Sequence, residues 1–313
     1  MTTQNTWLNC MSSLKNKHKF IAELLDGKSV AYVDIPIHFN VGDLLIYKGT
    51  EAFFTDYNIN VVYRAGTKVD FKRLQQADVI ILHGGGNFGD LYPLHQKLRE
   101  EIVSMMQNKK IICMPQSIHF ESDAALEQSA SLFIKHPDFH FFVRDTASLE
   151  IANKFTKNAF LMPDMAHSLH PLVDQREVGK SNLMPPKILN LIRVDKESDG
   201  KNESVNKLGF DWLNIITTSD SFIQKLYYKI TKVPFLRSRG IDIWSSLCDD
   251  IVFRSINHFS SHTIIHTDRL HGLILSSLLG KEVYLKDNSY GKNTKYYKAW
   301  LTEYPYLEVS DEV

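Results

Sequence analysis

The stretch Asp78-Val79-Ile80-Ile81-Leu82-His83-Gly84-Gly85-Gly86-Asn87-Phe88-Gly89-Asp90 sets an unbroken apolar run directly before a glycine cluster. The run from Val79 to Leu82 suits a strand buried on both faces, the usual condition in a parallel sheet covered by helices. Parallel neighbours need long crossovers, and the flanking chain supplies them. Strand-like runs are expected at residues 29–34, 59–63, 78–83, 110–115, 139–144 and 159–163, with helical periods between them at 44–57, 91–107, 124–135 and 146–155. Residues 168–186, with Pro171, Gly179, Pro185 and Pro186, break the rhythm with linker chemistry. A second series follows, with strands expected at 187–194, 263–267 and 282–285 and helices at 246–259 and 270–279. Residues 195–206 read as an exposed polar loop. The expected fold class is α/β, two Rossmann-like domains facing a cleft, divided as residues 1–180 and 181–313.

Composition narrows the partners. The 313 residues carry 36 basic and 36 acidic side chains, a net charge of zero. That argues against a protein whose main business is holding nucleic acid or an anionic membrane, since both need a large basic excess. With 43% hydrophobic and 23% charged residues the chain is expected to fold. No apolar run reaches the roughly 18 residues of a membrane span, and residues 1–27 lack the continuous apolar segment of a signal peptide. Cys10, Cys113 and Cys248 are too few and too widely spaced for a disulfide framework or a zinc motif. A cytoplasmic protein is expected.

Gly84, Gly86 and Gly89 literally spell G-x-G-x-x-G after a strand, the dinucleotide fingerprint. The acid expected about 20 residues later is missing, because the next strand ends in Met114-Pro115-Gln116-Ser117. No nucleotide cofactor is therefore expected. A turn open to a different polar ligand fits better, with Gly85, Gly86 and Asn87 as contacts and Asp90 beside them. Two neighbouring strand exits offer comparable chemistry: Asn40-Val41-Gly42-Asp43, where Asp43 reads either as helix N-cap or as ligand contact, and Gln116-Ser117-Ile118-His119.

In the second half, Asp268-Arg269-Leu270-His271-Gly272 lies where a strand passes into a helix. A guanidinium in that first turn is out of place beside the helix's positive end unless an anion joins it. Arg144 and Arg193 end strand-like runs and are expected at the same rim. His258, His262 and His266 recur every four residues, yet the helix should stop before His266, and no metal site is expected.

Taken in order, Gly42-Asp43, the cluster from Gly84 to Asp90, Gln116-Ser117, Val143-Arg144-Asp145 with Ser148, Pro163-Asp164 and Asp268-Arg269-Leu270-His271-Gly272 resemble the polysaccharide pyruvyltransferase family over about residues 30–290. The resemblance implies a GT-B-type, glycosyltransferase-like architecture and transfer of pyruvate from phosphoenolpyruvate to a sugar as a cyclic ketal. It implies that Arg269 and His271 bind the donor. It also implies an arginine and an aspartate from the first half, matched by Arg144 or Arg193 and by Asp90 or Asp43. The candidate catalytic residues are then His271, Asp90, Asp43 and His119. The candidate binding residues are Arg269, Leu270, Arg144, Arg193, Gly85, Gly86, Asn87, Gln116 and Ser117. The partners are phosphoenolpyruvate and a saccharide, free or lipid-linked. A nucleotide-sugar glycosyltransferase and a catalytically silent saccharide-binding protein are the competing readings. The basic-aromatic segment around residues 222–228 and 235–239, with Phe222, Tyr228 and Phe235 beside Lys225, Lys229, Lys232 and Arg237, reads first as a solvated helix face and otherwise as a contact with the acceptor glycan or with the inner face of a membrane.

Overall fold

In this computed structural model the described residues are 2–174, 178, 185–192, 209–287 and 291–309. Strands β1 (Ser29–Val33), β2 (Asn60–Arg64), β3 (Val79–Leu82), β4 (Gly85–Phe88), β5 (Lys110–Ile118), β6 (Phe139–Val143) and β7 (Asn158–Leu161) form one sheet. Its order is β2-β1-β3-β5-β6-β7, with β4 paired to β5 off that path. Strands β8 (Ile188–Leu191), β9 (Ile264–Thr267), β10 (Glu282–Leu285) and β11 (Leu307–Val309) form a second, ordered β11-β10-β9-β8. Every pairing in both sheets is parallel. The helices are α1 (Thr3–Lys17), α2 (Lys19–Leu25), α3 (Val41–Asp56), α4 (Phe71–Gln76), α5 (Pro93–Met105), α6 (Asp123–Phe133), α7 (Thr146–Ala152), α8 (Thr218–Ile230), α9 (Arg237–Ser260), α10 (Leu270–Leu278) and α11 (Lys292–Trp300). The expected α/β class with parallel sheets is what the chain adopts.

Alternation along each strand divides the interior. Val30 and Tyr32 of β1, with Val79 and Ile81 of β3, face a core that continues into Ile265, Val283 and the α10 residues Leu273–Leu275. Ala31 and Val33, with Ile80 and Leu82, face a second core rich in phenylalanine. The first core also holds Trp7, Met11 and Leu14 of α1, spaced by helical turns on one face. Trp7 Nε1 donates to the Ser277 carbonyl of α10 at 2.7 Å, so the amino-terminal helix is pinned to the second half. Sequence reading saw only short apolar stretches there.

Two expectations change. The glycine cluster, expected as a turn, carries a strand instead: Gly85–Phe88 forms β4, and α5 starts at Pro93 rather than at residue 91. Phe88 supplies the reason, because its ring is buried with centroids 4.6 Å from Phe141 and 5.5 Å from Phe155. Burying such a ring is worth about 1.5–3 kcal/mol and draws the segment onto the sheet. Gly89 then has φ +134°, and a Cβ there would stand 1.7 Å from the His119 carbonyl oxygen. The last helix before β9 also begins earlier than expected, because Ile241 and Trp244 extend the buried face of α9.

In the first sheet the order reverses between β1 and β3, since β2 lies to one side of β1 and all later strands to the other. Open α/β sheets bind ligands at the carboxyl ends of the strands flanking that reversal.

Candidate functional site

Asp34 follows β1 with φ +66° and is completely buried. Its Oδ1 meets His95 Nδ1 at 2.6 Å and its Oδ2 meets Arg99 Nη2 at 2.6 Å. Burial opposes the charge, but Arg99 and His95 outweigh it and hold the carboxyl below its ordinary range. Arg99, itself buried, also donates to the Asn87 carbonyl at 2.9 Å and to Asn87 Oδ1 at 2.6 Å. The exit of β1 and strand β4 are thus held together through Arg99, which pairs with Asp34 and hydrogen-bonds Asn87.

At the exit of β3, His83 Nδ1 lies 2.6 Å from the Tyr32 hydroxyl. Burial lowers His83 to about 4 and pushes the Tyr32 phenol well up. Both are neutral near pH 7, and in the tautomer where Tyr32 donates to Nδ1 the ring hydrogen sits on Nε2. That Nε2 is buried without a hydrogen-bond partner among the described residues.

The loop after β1 enters α3, whose N-cap is Asn40, with its Oδ1 accepting from Gly42 N at 3.0 Å. Asp43 is therefore not the cap: it stands in the first turn with Oδ2 2.8 Å from His38 Nε2. Burial works against its charge, but the His38 hydrogen bond and the nearby His271 and His83 bring it down to about 2. His38 moves up: burial opposes the shift, and Asp43 overrides it.

The other wall is built around Asp164, which follows β7 and is fully buried. Its Oδ2 receives Arg144 Nη1 at 2.5 Å and lies 3.3 Å from His271 Nε2. Burial again opposes ionisation, while His271 and Arg144 hold the carboxyl far below its usual range. Tyr296 of α11 places its hydroxyl 3.0 Å from the Asp164 amide, which donates to it. Arg144 Nη2 donates to Ser117 Oγ at 3.1 Å, and that hydroxyl donates to Asp145 Oδ2 at 2.9 Å. Asp145 is the N-cap of α7, with Oδ1 accepting from Ser148 N at 2.8 Å. This use explains why Val143-Arg144-Asp145 is followed by Ser148.

Strand β4 lies between the two walls and joins them. A Cβ on Gly85 would stand 3.6 Å from Asp43 Oδ1, and one on Gly86 would stand 3.3 Å from Arg144 Nη2. A Cβ on Gly42 would meet His271 Nδ1 at 2.5 Å. Gly85 pairs in register with Gln116, whose Nε2 donates to the His83 carbonyl at 2.6 Å. Gln116 Oε1 and Arg144 Nε, like His83 Nε2, are buried without partners among the described residues. Leaving such groups unpaired costs about 1–3 kcal/mol each, so their occurrence near Gly85 and Gly86 makes this a candidate place for a polar ligand.

The structure thus brings together Asp43, Gly85, Gly86, Gln116, Ser117, Arg144 and His271. It takes other expected residues elsewhere. Asp90 is committed to a loop, accepting from the Glu121 amide at 2.9 Å and the Ser122 amide at 3.0 Å. The Asn87 oxygen belongs to Arg99. His119 is half-buried past β5, with its amide on the Phe88 carbonyl at 3.0 Å. Arg269 is the N-cap of α10 rather than part of its first turn, and its Nη2 reaches Asp211 Oδ1 at 2.7 Å. The anion it was expected to need is supplied within the fold. Leu270 packs against the first core, and Arg193 and the expected loop at 195–206 lie outside the described residues. His266 is on β9, apart from His258 of α9, and no group of metal-ligating side chains occurs among the described residues. None of the described helices is long and apolar enough to cross a membrane.

Sequence reading missed Asp34, His38, His83, Arg99 and the central place of Asp164. One signal was available: Asp34 and Asp164 both stand just past apolar strands, at the binding edge of the sheet. Arg99 gave none, since an arginine in an amphipathic helix reads as solvent-facing.

Comparison with known proteins identifies a family. The family model for polysaccharide pyruvyl transferase matches residues 40–290, from the α3 N-cap past the strand after His271. EpsO of Bacillus subtilis (strain 168), provisionally named a pyruvyl transferase, is 38% identical over 306 residues, covering 94% of this chain and 92% of its own. Pyruvyl transferase 1 of Schizosaccharomyces pombe is 29% identical over 288 residues, covering 88% of this chain and 70% of its own. The crystal structure of a functionally uncharacterized Klebsiella pneumoniae protein, KP1_0663, shares the fold with a TM-score of 0.56 at 24% identity, over 99% of both chains. The chain belongs to the polysaccharide pyruvyl transferase family.

Proposed function

We propose that this chain transfers pyruvate from phosphoenolpyruvate to two hydroxyls of a saccharide, forming a cyclic ketal and releasing phosphate. The observation that carries the reading is the gathering of Arg144, His271 and three unpaired buried polar atoms, His83 Nε2, Gln116 Oε1 and Arg144 Nε, around Gly42, Gly85 and Gly86. In this reading the two parallel sheets are the halves of a GT-B-like frame and the donor lies along β4.

Phosphoenolpyruvate carries a carboxylate and a phosphate, which call for cationic and N–H donors. Arg144, His83 Nε2 and the amino-terminal turn of α3 supply them. Protonation of the vinyl carbon makes the methyl group and leaves an oxocarbenium-like centre at the neighbouring carbon. His271 is the acid, with Asp164 orienting Nε2 as a carboxylate does for a general acid–base histidine. One sugar hydroxyl attacks that centre, phosphate departs, and a second hydroxyl closes the ring. Of the two hydroxyl protons, one is accounted for in the methyl group and the other in hydrogen phosphate. Asp43, ionised at neutral pH, accepts the hydrogen bond of the attacking hydroxyl and replaces Asp90 in that role. Arg269 acts on this rim through its Asp211 pair rather than as a bare cation.

The test is incubation with phosphoenolpyruvate and a panel of glycans. Phosphate release matched one-to-one by an acid-labile ketal on the glycan supports the reading. Consumption of a nucleotide sugar, with phosphoenolpyruvate untouched, refutes it.

A further inference from the structure

The chain is neutral as a whole, yet residues 221–241 contain five basic side chains, Lys225, Lys229, Lys232, Arg237 and Arg239, and no Asp or Glu. This segment runs from α8 through a short 3₁₀ turn, Pro234–Leu236, into α9. Helical spacing puts Phe222, Lys225, Leu226 and Lys229 on one face, and all four are exposed. The opposite face is inward, with Asp220 and Tyr227 buried. Past the helix the apolar display continues in Val233 and Phe235, the latter 80% exposed. Phe222 is 69% exposed. None of Lys225, Lys229 and Lys232 is in an ion pair among the described residues.

Large exposed aromatics in one patch need an occupant. Apolar side chains interleaved with unpaired cations match the boundary of an anionic bilayer, where rings enter the acyl region and ammonium groups meet lipid phosphates. A soluble acidic partner would use the cations but leave Phe222 and Phe235 without a role. We infer that α8 and the following turn are a peripheral docking surface for anionic lipid membranes. The surface adjoins the site: Gln224 Nε2 and Tyr228 Oη both donate to the Ile37 carbonyl, at 3.1 and 3.0 Å. The next residue is His38, the partner of Asp43. A saccharide carried on a lipid would therefore arrive beside Asp43, a consequence that rests on the proposed transfer reaction, whereas the docking itself does not.

The experiment is cosedimentation of the full chain with phosphatidylcholine vesicles, with and without about one-third phosphatidylglycerol. It reads lipid binding alone, so failure of the transfer reaction leaves its result unaffected. Expected is pelleting with the anionic vesicles only, reversed by high salt. Paired Phe222→Ser and Phe235→Ser substitutions, and separately Lys225→Gln, Lys229→Gln and Lys232→Gln together, should each weaken partitioning by about tenfold or more. These positions are exposed, so circular dichroism should show an unchanged fold. Absence of binding by the unsubstituted chain, or equal binding by the variants, overturns the proposal. So does self-association that the phenylalanine substitutions abolish while no vesicle binding occurs, which would assign the face to a second copy.

Discussion

The His271 ring is seated against the backbone of Gly42, with Nδ1 2.5 Å from where a Cβ on that glycine would stand. Gly42 belongs to the first turn of α3 after β1, and His271 to the first turn of α10 after β9. One bare Cα therefore lets the first turns of α3 and α10 meet at the nitrogen opposite the Asp164 contact.

Gly42→Ala should force that ring aside. Overpacking at such a contact costs about 1–3 kcal/mol, and a misplacement of about 1 Å at a reacting group costs about a hundredfold in rate. Urea denaturation and single-turnover phosphate release would check the two effects. An alanine variant with unchanged kinetics would show that the ring position is not used.

His271→Gln keeps much of the volume and a polar end near Asp164 but cannot deliver a proton. The transfer rate should fall about 10²–10⁴-fold, with the unfolding midpoint nearly unchanged. A loss confined to KM would indicate a binding role only.

Asp164→Asn should be severe for stability. It leaves Arg144, 2% exposed, as an uncompensated buried charge, and breaking such a pair by removing one partner costs about 3–5 kcal/mol. Replacing both, as Asp164→Leu with Arg144→Met, should recover much of that stability while activity stays lost. The comparison separates folding from function at one locus.

Acid sensitivity should come from buried histidines. His18 is fully buried between Ser168 Oγ at 2.7 Å and the Pro163 carbonyl at 3.1 Å. Burial lowers both His18 and His83 to about 4. Below the unfolded value of about 6.5 the unfolded chain binds protons that the folded chain refuses, so stability falls as pH drops toward 4. By pH 5 each site forfeits about 2 kcal/mol. His18→Gln should flatten the dependence of the unfolding free energy on pH between about 6.5 and 4, measured as urea midpoints across that range.

Much of this was legible in the chain because strand burial and β-branching are local signals. Val79–Leu82 and Glu282–Leu285 read directly as strands. Arg144, just past β6, and Gln116 and Ser117, among the last residues of β5, were legible for the same reason, since a residue's place at the end of an apolar run fixes which edge of the sheet it occupies. Pairing was not legible. Nothing local in Arg269 says that Asp211 will take its charge, and nothing in Asp90 says that two amides of the next loop will take its oxygens. The strand at Gly85–Phe88 was hidden because glycines signal turns, and only the distant phenylalanines that receive Phe88 reverse that preference.

The most direct test of the central claim is a crystal of the protein soaked with phosphoenolpyruvate. The account predicts density along β4, with the ligand's anionic groups at Gly86, Arg144 and His83 Nε2 and its vinyl carbon toward His271. Ordered phosphoenolpyruvate elsewhere, with the space beside Gly85 and Gly86 empty of it, would contradict the account.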